Sequence, residues 1–501
     1  MAQFHEIAQP SLSPAHEATS GDPARFHRQA LASALIALGV YVLTLAPDLS
    51  WANGAYDGAE LITASVTLGI PHPPGYPTYV LLGKLFSLLP VGTVAFRYNL
   101  FSAVCAAAAV GLVVMIIGSL HPRIRPAAAV SAALLFGFTP LVWSQAVVAE
   151  VYSLNLLMIA AFLLVWSRRG AGASSSLLLG LAITTHLTSL FWLPAFFISG
   201  RRQWSRIAVG LALGLSPLLL LPWLAAGDSA IIWGRPTNSA GWWQLVSGQL
   251  YAAYFQPAID AERWLNLLQA VALGPAAFLA GAGLRGYPSN EDEHLHVHAA
   301  GTISRPTPIL LAATSLLYIA FSLSYNTSDA AILLLPVFLI LALLVAPLLQ
   351  RPGAAALLLP LVLVLLTYGA RDLRRQPTAR TYAADILRSA PENAILLTPG
   401  DHTIFTLLYF QQVEGYRPDL SLVDGNLFAF DWYRNRLQER YPDIVMPTGD
   451  DLVALRLENN SKRPFCLVGL VSSPEPPISM TGGRFETGDG APYVLCAEEA
   501  N

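Results

Sequence analysis

Long apolar runs separated by short polar or basic breaks dominate the chain from about Ala30 to Gly369. Runs at 30–46, 99–120, 126–143, 151–167, 207–224, 267–284, 308–323, 330–349 and 353–369 each approach the roughly 20 residues that cross a bilayer as a helix. The stretch 174–199 differs, because Arg168 and Arg169 precede it and Arg201, Arg202 and Arg206 follow it. A basic cluster at both ends predicts a pair of short helices that go in and return, turning near Thr184, Thr185 and His186. The segment 78–90, which carries Lys84, predicts an interfacial or re-entrant helix, since a full crossing there would invert everything after it. About eleven crossings result, with the hairpin counted as two.

Beyond residue 370 the pattern changes. Helix-like periodicity at 381–389, 403–413 and 431–440 alternates with strand-like runs at 394–398, 420–423 and 465–470. That alternation predicts a small α/β domain with a largely parallel sheet. The expected organisation is a disordered cytoplasmic arm (1–29), a multipass α-helical membrane domain (30–370) with a first outer loop at 47–98, and an extracytoplasmic α/β domain (371–501). The first apolar run follows Arg25 and Arg28 without a convincing cleavage site, which suits an uncleaved signal anchor.

Composition agrees: 54% of the 501 residues are hydrophobic and 12% charged, and of the 61 charged residues 31 lie from Arg371 onward. The net charge of −3, with no basic stripe, argues against a nucleic-acid partner. Loops rich in arginine stay cytoplasmic. A cytoplasmic N-terminus places Arg123, Arg125, Arg168, Arg169, Arg206 and Arg351 inside, and puts Asp48, Asp57, Glu60, Glu150 and Asp329 outside. The chemistry is therefore expected on the outer face. Of the three cysteines, Cys466 and Cys496 share the polar tail; a bridge between them and two unrelated thiols remain equal alternatives.

The densest polar cluster follows the first helix, as Ala55-Tyr56-Asp57-Gly58-Ala59-Glu60-Leu61-Ile62. Two carboxylates three apart share one helical face, where they could bind a metal, position a hydroxyl or take its proton. They also fit a capping box, with Asp57 as N-cap and Glu60 reaching back, and both readings stay open. Next comes Gly69-Ile70-Pro71-His72-Pro73-Pro74-Gly75-Tyr76-Pro77, a turn whose prolines would hold His72 and Tyr76 in place; a plain break between helices is the alternative. Arg97 and Asn99 enter the next helix, where the arginine could meet a lipid-linked phosphate or snorkel to headgroups. Glu150 lies at a helix end, and acids at membrane depth mark functional sites by default. His186, at the expected hairpin tip, is either a packing residue or part of the same outer cluster. His294, His296 and His298 beside three acids suit a solvated loop better than a metal site, and Asn326-Thr327-Ser328 formally fits a glycosylation sequon.

Taken in order, these motifs resemble the bacterial relatives of an animal transmembrane protein O-mannosyltransferase. The resemblance is carried by Asp57 to Leu61, Gly69 to Pro77, Arg97 to Leu100, Ala149 to Asn155 and Gly180 to His186. It continues through Trp233-Gly234-Arg235-Pro236, Ser328-Asp329, Thr398 to Asp401 and Gln411 to Asp419, so that it spans about residues 30 to 440. It implies a GT-C-class glycosyltransferase of the bacterial inner membrane. Such an enzyme takes a sugar, mannose being one candidate, from a polyprenyl-phosphate donor to a protein, lipid or glycan acceptor on the outer face. Asp57 matches the essential first-loop acid, with Glu60 beside it. Relatives carry a lysine next to a diproline that contacts the carrier phosphate; here His72 takes its approximate place. The remaining expected roles are phosphate contacts from His72 and Arg97, with Arg235 as a further candidate, and a donor pocket lined by Tyr76, Asn99, Glu150 and His186. Direct displacement would invert the anomeric carbon, and a divalent metal is an additional candidate cofactor. A transporter or flippase of an envelope substrate is the alternative, because polar residues inside a multipass bundle also mark transport paths. A noncatalytic assembly protein is a third reading.

The arginine distribution makes a testable statement. Alkaline phosphatase fused after Gly369 should be active and fused after Arg169 inactive, and the reverse pattern would overturn the orientation.

Overall fold

The computed structural model describes residues 23–197, 203–256, 265, 306–327, 329–376, 379–470 and 492–497. The first part of the arm, the run 267–284, the His294 to His298 loop and Ser328 of the sequon lie outside the described residues.

Among the described residues, five helices are long and apolar enough to cross a membrane: Phe26–Thr44, Val94–Leu120, Trp204–Leu224, Ala330–Gln350 and Gly353–Arg371. A sixth span arises if the pair Pro126–Phe138 and Pro140–Ala146, bent by 67° at Pro140, is one crossing. Proline causes that bend, since it lacks the N–H that would continue the ladder. Shorter apolar helices at Ala173–Thr185, Leu187–Phe197 and Pro308–Ser324 occupy other positions where the sequence pattern places crossings.

Helix directions follow from contacts in the first half of the chain, which comprises α1 (Pro23–Thr44), α2 (Gly58–Thr67), α3 (Pro77–Ser87), α4 (Val94–Leu120), α5 (Pro126–Phe138), α6 (Pro140–Ala146), α7 (Tyr152–Arg169) and α8 (Ala173–Thr185). Gly111 abuts Ala30 and Ala34 while Gly118 abuts Phe26, so α4 runs antiparallel to α1. The chain between them therefore starts and ends at the same end of the bundle. Helix α3 has 11 residues, too few to cross, as expected for a re-entrant or interfacial segment. Ser102 meets Glu150 and Ser119 meets Arg168, so α4 and α7 run parallel. Gly210 of Trp204–Leu215 abuts Ala173 and Ser176, and Gly214 abuts Leu177 and Gly180. Those two helices are also parallel, so the segment from His186 onward must return between them, as in the expected hairpin. A Cβ on Gly210 would lie 2.1 Å from the Ala173 carbonyl oxygen; glycine alone permits this approach.

As a result the ends of α1 and α6, the starts of α2, α4 and α7, and the tip at His186 all gather at one end of the bundle. The tail docks there too. Leu373 N–H donates to the Thr44 carbonyl at 3.0 Å and Ala379 N–H to that of Leu49 at 3.0 Å. Arg380 pairs with Asp48 at 2.5 Å and with Glu414 at 2.6 Å. The Trp51 indole donates to Thr406 at 3.1 Å, and helix Asp401–Gln412 packs on α2.

The tail forms a four-stranded sheet, with β1 (Ile395–Thr398), β2 (Ser421–Asp424), β3 (Phe465–Leu470) and β4 (Pro492–Cys496) in the order β2-β1-β3-β4. Strand β1 is parallel to both β2 and β3, and β4 runs antiparallel to β3. Cys466 and Cys496 are directly opposite in that last pair and are joined by a disulfide, closing a loop with a sequence separation of 30.

Candidate functional site

The site begins with α2. Asp57 occupies its N-cap position, but with helical backbone angles and without a capping hydrogen bond from its side chain. The capping-box expectation is thus corrected at both ends: Asp57 is released from capping, and Glu60 turns elsewhere. Glu60 is fully buried, and such a charge must find partners. His72 N–H donates to its Oε1 at 3.0 Å, the Trp233 indole N–H donates to the same oxygen, and His72 Nδ1 lies 2.5 Å from Oε2.

Local sequence makes this geometry possible. Lys84 Nζ donates to the Val66 carbonyl at 2.5 Å near the end of α2, complementing the helix dipole there. A Cβ on Gly69 would lie 2.3 Å from the Ile231 carbonyl oxygen, so only glycine lets the two segments meet. Ile70 N–H then donates to Ile231 at 2.8 Å and Trp233 N–H to Ile70 at 3.1 Å, which brings the indole to Glu60. Tyr76 has φ 41°, an unfavourable value for a residue with a Cβ, and its hydroxyl lies 3.0 Å from His72 Nε2. Asp57 Oδ2 is 3.8 Å from the same nitrogen, and its side chain is 38% exposed. The arrangement is a buried ion pair presenting one imidazole nitrogen to a tyrosine and to an accessible carboxylate.

Electrostatics follow from burial and proximity. Burial pulls the His72 imidazolium down, but Glu60 and Asp57 outweigh it and raise its pKa from 6.5 to about 10. Burial raises Glu60 and Asp57; His72 opposes both shifts, and Asp329 pushes Asp57 further up. Asp57 is thus a carboxyl group of raised basicity, suited to accepting a proton.

The structure brings Asp57, Glu60, His72, Tyr76, Glu150 and His186 together. The His186 ring stacks on Tyr76 at 6.2 Å and is 5.4 Å from Tyr152; Glu150 is buried and close enough to act electrostatically on both Asp57 and His72. Three expected residues do not join. Arg97 donates to the carbonyls of Val91, Ser87 and Gly92, tying down the loop before α4. Asn99 donates to those of Ala46 and Asp48, and Arg235 pairs with Glu439 of the tail at 2.7 Å. All three hold the fold around the site. Sequence reading missed Tyr152, whose hydroxyl donates to Asp329 at 3.1 Å, and the roles of Trp233 and Asp329. Trp233 and Asp329 lie inside motifs that carry the resemblance.

Atoms of Asp57, Glu60 and His72 lie within 4.8 Å of one another, a spacing compatible with a metal ion. Both Glu60 oxygens already accept hydrogen bonds, and His72 Nδ1 is committed to one of them. That leaves Asp57 and His72 Nε2 to offer an ion, and a divalent ion held by so few protein groups takes its remaining ligands from water and substrate phosphate.

With this geometry established, comparisons place the chain among known proteins. Residues 57–206 match the protein O-mannosyl-transferase TMEM260 N-terminal domain and residues 379–444 the TMEM260-associated domain 2. The protein O-mannosyl-transferase TMEM260 of Mus musculus is 25% identical over 81% of this chain and 64% of its own length. That of Dictyostelium discoideum is 31% identical over 36% of this chain and 26% of its own. The chain spans less than two thirds of the length of these curated relatives. Among solved structures, ArnT from Cupriavidus metallidurans bound to undecaprenyl phosphate superposes with a TM-score of 0.53 at 13% identity, covering 93% of this chain and 97% of ArnT. The chain is similar to the animal O-mannosyl-transferase and has an ArnT-like, multipass helical membrane fold.

The raised pKa of His72 has a stability consequence. Because the folded value lies above the unfolded one, the ion pair's stabilisation is complete below about pH 6.5 and is lost as pH rises through about 10. Thermal denaturation of the native protein and His72→Gln between pH 6.5 and 10 should show a difference that shrinks with rising pH. A widening difference would contradict the assignment.

Proposed function

We propose that this chain, a GT-C-fold relative of the animal protein O-mannosyl-transferase, is a membrane glycosyltransferase. It moves a sugar from a polyprenyl-phosphate donor to a protein, lipid or glycan acceptor on the outer membrane face. The names of the mouse and Dictyostelium relatives favour mannose and a protein acceptor. The undecaprenyl phosphate bound by ArnT favours a polyprenyl carrier.

One observation carries the mechanism: Asp57 is half-exposed, free of capping duty, and set beside a buried His72–Glu60 pair. Asp57 takes the acceptor hydroxyl's proton as the acceptor oxygen attacks the anomeric carbon. The bond from that carbon to the phosphate oxygen breaks, the electron pair leaves with the polyprenyl phosphate, and the configuration inverts. His72, held protonated by Glu60, and the Tyr76 hydroxyl stabilise the departing phosphate. Glu60 is a positioning residue for His72, and Glu150 and His186 line the donor side.

The test is Asp57→Asn. Since Asp57 makes no capping hydrogen bond, Asn should leave thermal stability unchanged while transfer falls by about 10² to 10⁴. Retained transfer at unchanged stability would remove Asp57 from the mechanism.

A further inference from the structure

One helix of the tail meets the segment that serves Glu60 at three places. Helix Asp431–Arg440 carries Trp432, Arg436 and Glu439 at spacings of four and three, so the three share one stripe of its surface. Trp432 packs its ring on Trp233, with centroids 5.6 Å apart and planes tilted by 37°. Arg436 donates through one terminal nitrogen to the carbonyls of Gly227 at 2.8 Å and Ser229 at 2.9 Å. Glu439 pairs with Arg235 at 2.7 Å, but both side chains are about two-fifths exposed and the salt bridge adds little on its own. Phe405, from helix Asp401–Gln412, adds a second ring to Trp233 at 6.4 Å.

The backbone of this segment is constrained at the same point. Gly234 and Arg235 have φ of 65° and 41°, and a residue with a Cβ keeps the second value only where its surroundings impose it. On the other side, the hydrogen bonds of Ile70 fix the backbone at Ile231 and Trp233. Fixing the backbone does not aim the side chain. An indole turns about two torsions and has a single N–H, so the rings packed on it decide where that donor points. Here it points at Glu60 Oε1, and the Trp233 ring lies 6.4 Å from that of His72. The indole N–H of Trp432 is itself buried without an acceptor. A phenylalanine would avoid that orphan donor, so the position contributes a flat face and no hydrogen bond.

We infer that helix Asp431–Arg440 is a positioning element for the site in the membrane domain: Trp432 aims the Trp233 indole at Glu60, and Glu60 in turn holds His72 facing Tyr76 and Asp57. The inference rests on the transferase reading for its kinetic consequence, and on the contacts alone for its geometry. The tail thereby acts in transfer without touching substrate. With the indole turned away, the buried Glu60 carboxylate loses one of its three hydrogen bonds and holds His72 less firmly. Transfer is sensitive to such a displacement, since misplacing a group by about 1 Å costs on the order of a hundredfold in rate.

NMR of the purified full chain in detergent, isotopically labelled at its indole nitrogens, tests the geometry. The Trp233 resonance, identified by its loss in Trp233→Phe, should be protected from solvent exchange in the native chain. Trp432→Ala should move it and speed its exchange about tenfold or more, whereas Trp432→Phe should leave both unchanged. In transfer assays Trp432→Ala should lower kcat about tenfold or more with KM little changed, and Trp432→Phe should keep it near the native value. Because Trp432 acts through the Trp233 N–H, adding Trp432→Ala to Trp233→Phe should cost no further rate. If Trp432→Ala does not melt cooperatively, Trp432→Leu, which keeps apolar bulk without the flat face, decides by the same criteria. An unmoved Trp233 resonance, an unchanged kcat, or rate losses that multiply in the double variant would overturn the inference. If the native chain transfers no sugar, the resonance alone decides the positioning, and only the transferase reading fails.

Discussion

The Glu60 carboxylate lies wholly inside the protein, and the need to compensate its charge organises everything around it. Its partners come from two distant stretches: His72 from the proline-rich turn, and Trp233 from the segment that pairs with Ile70. Satisfying one buried acid therefore fixes the turn onto α2, sets the imidazole's Nε2 toward Tyr76 and Asp57, and holds residues 231–233 against the first loop. Removing either partner would leave a buried charge exposed to the full desolvation penalty. Asp57, three residues earlier, is spared this role and remains accessible. Two carboxylates on one helix face thus have opposite duties, set by burial alone.

The bundle supplies the frame for that constraint. Antiparallel α1 and α4, parallel α4 and α7, and the return after His186 bring polar residues from across the chain to one end. The tail closes over the same end through Arg380, Trp51 and helix Asp401–Gln412. Arg436 adds two hydrogen bonds to the carbonyls of Gly227 and Ser229, just before the segment that carries Trp233. The α/β domain is thus bound to the elements that build the site, and the disulfide locks its last strand to β3.

Much of this was legible in the sequence where the physics is local. Among the described residues, apolar run length located most of the long helices, and alternating periodicity in the tail located β1, β2, β3 and the helices Ala379–Ser389, Asp401–Gln412 and Asp431–Arg440. Strand β4 and helix Leu452–Asn459 were missed; the first follows a long stretch without periodicity, and the second is only eight residues long. The acidic cluster and the histidine turn were visible as dense polar islands in an apolar chain. What could not be read was the use each polar group makes of its hydrogen bonds. Arg97 looked like a phosphate ligand, yet three backbone carbonyls within ten residues consume its donors. Asp57 and Glu60 had the spacing of a capping box, but partners 12 and 173 residues from Glu60 decided its role. Arg436 and Gly227 meet although 209 positions apart, and no spacing rule connects them.

The central claim is that this end of the bundle performs transfer chemistry and does not merely pass a lipid-linked substrate across. The most direct measurement is to incubate the purified full chain with polyprenyl-phosphate mannose labelled in the sugar, together with membrane extract as the acceptor source, and to separate lipid-soluble from water-soluble and protein-bound label. The account predicts that label leaves the lipid fraction for an acceptor in proportion to the polyprenyl phosphate released. Label that changes membrane face while still joined to its carrier, with no polyprenyl phosphate released, would contradict it and favour a flippase.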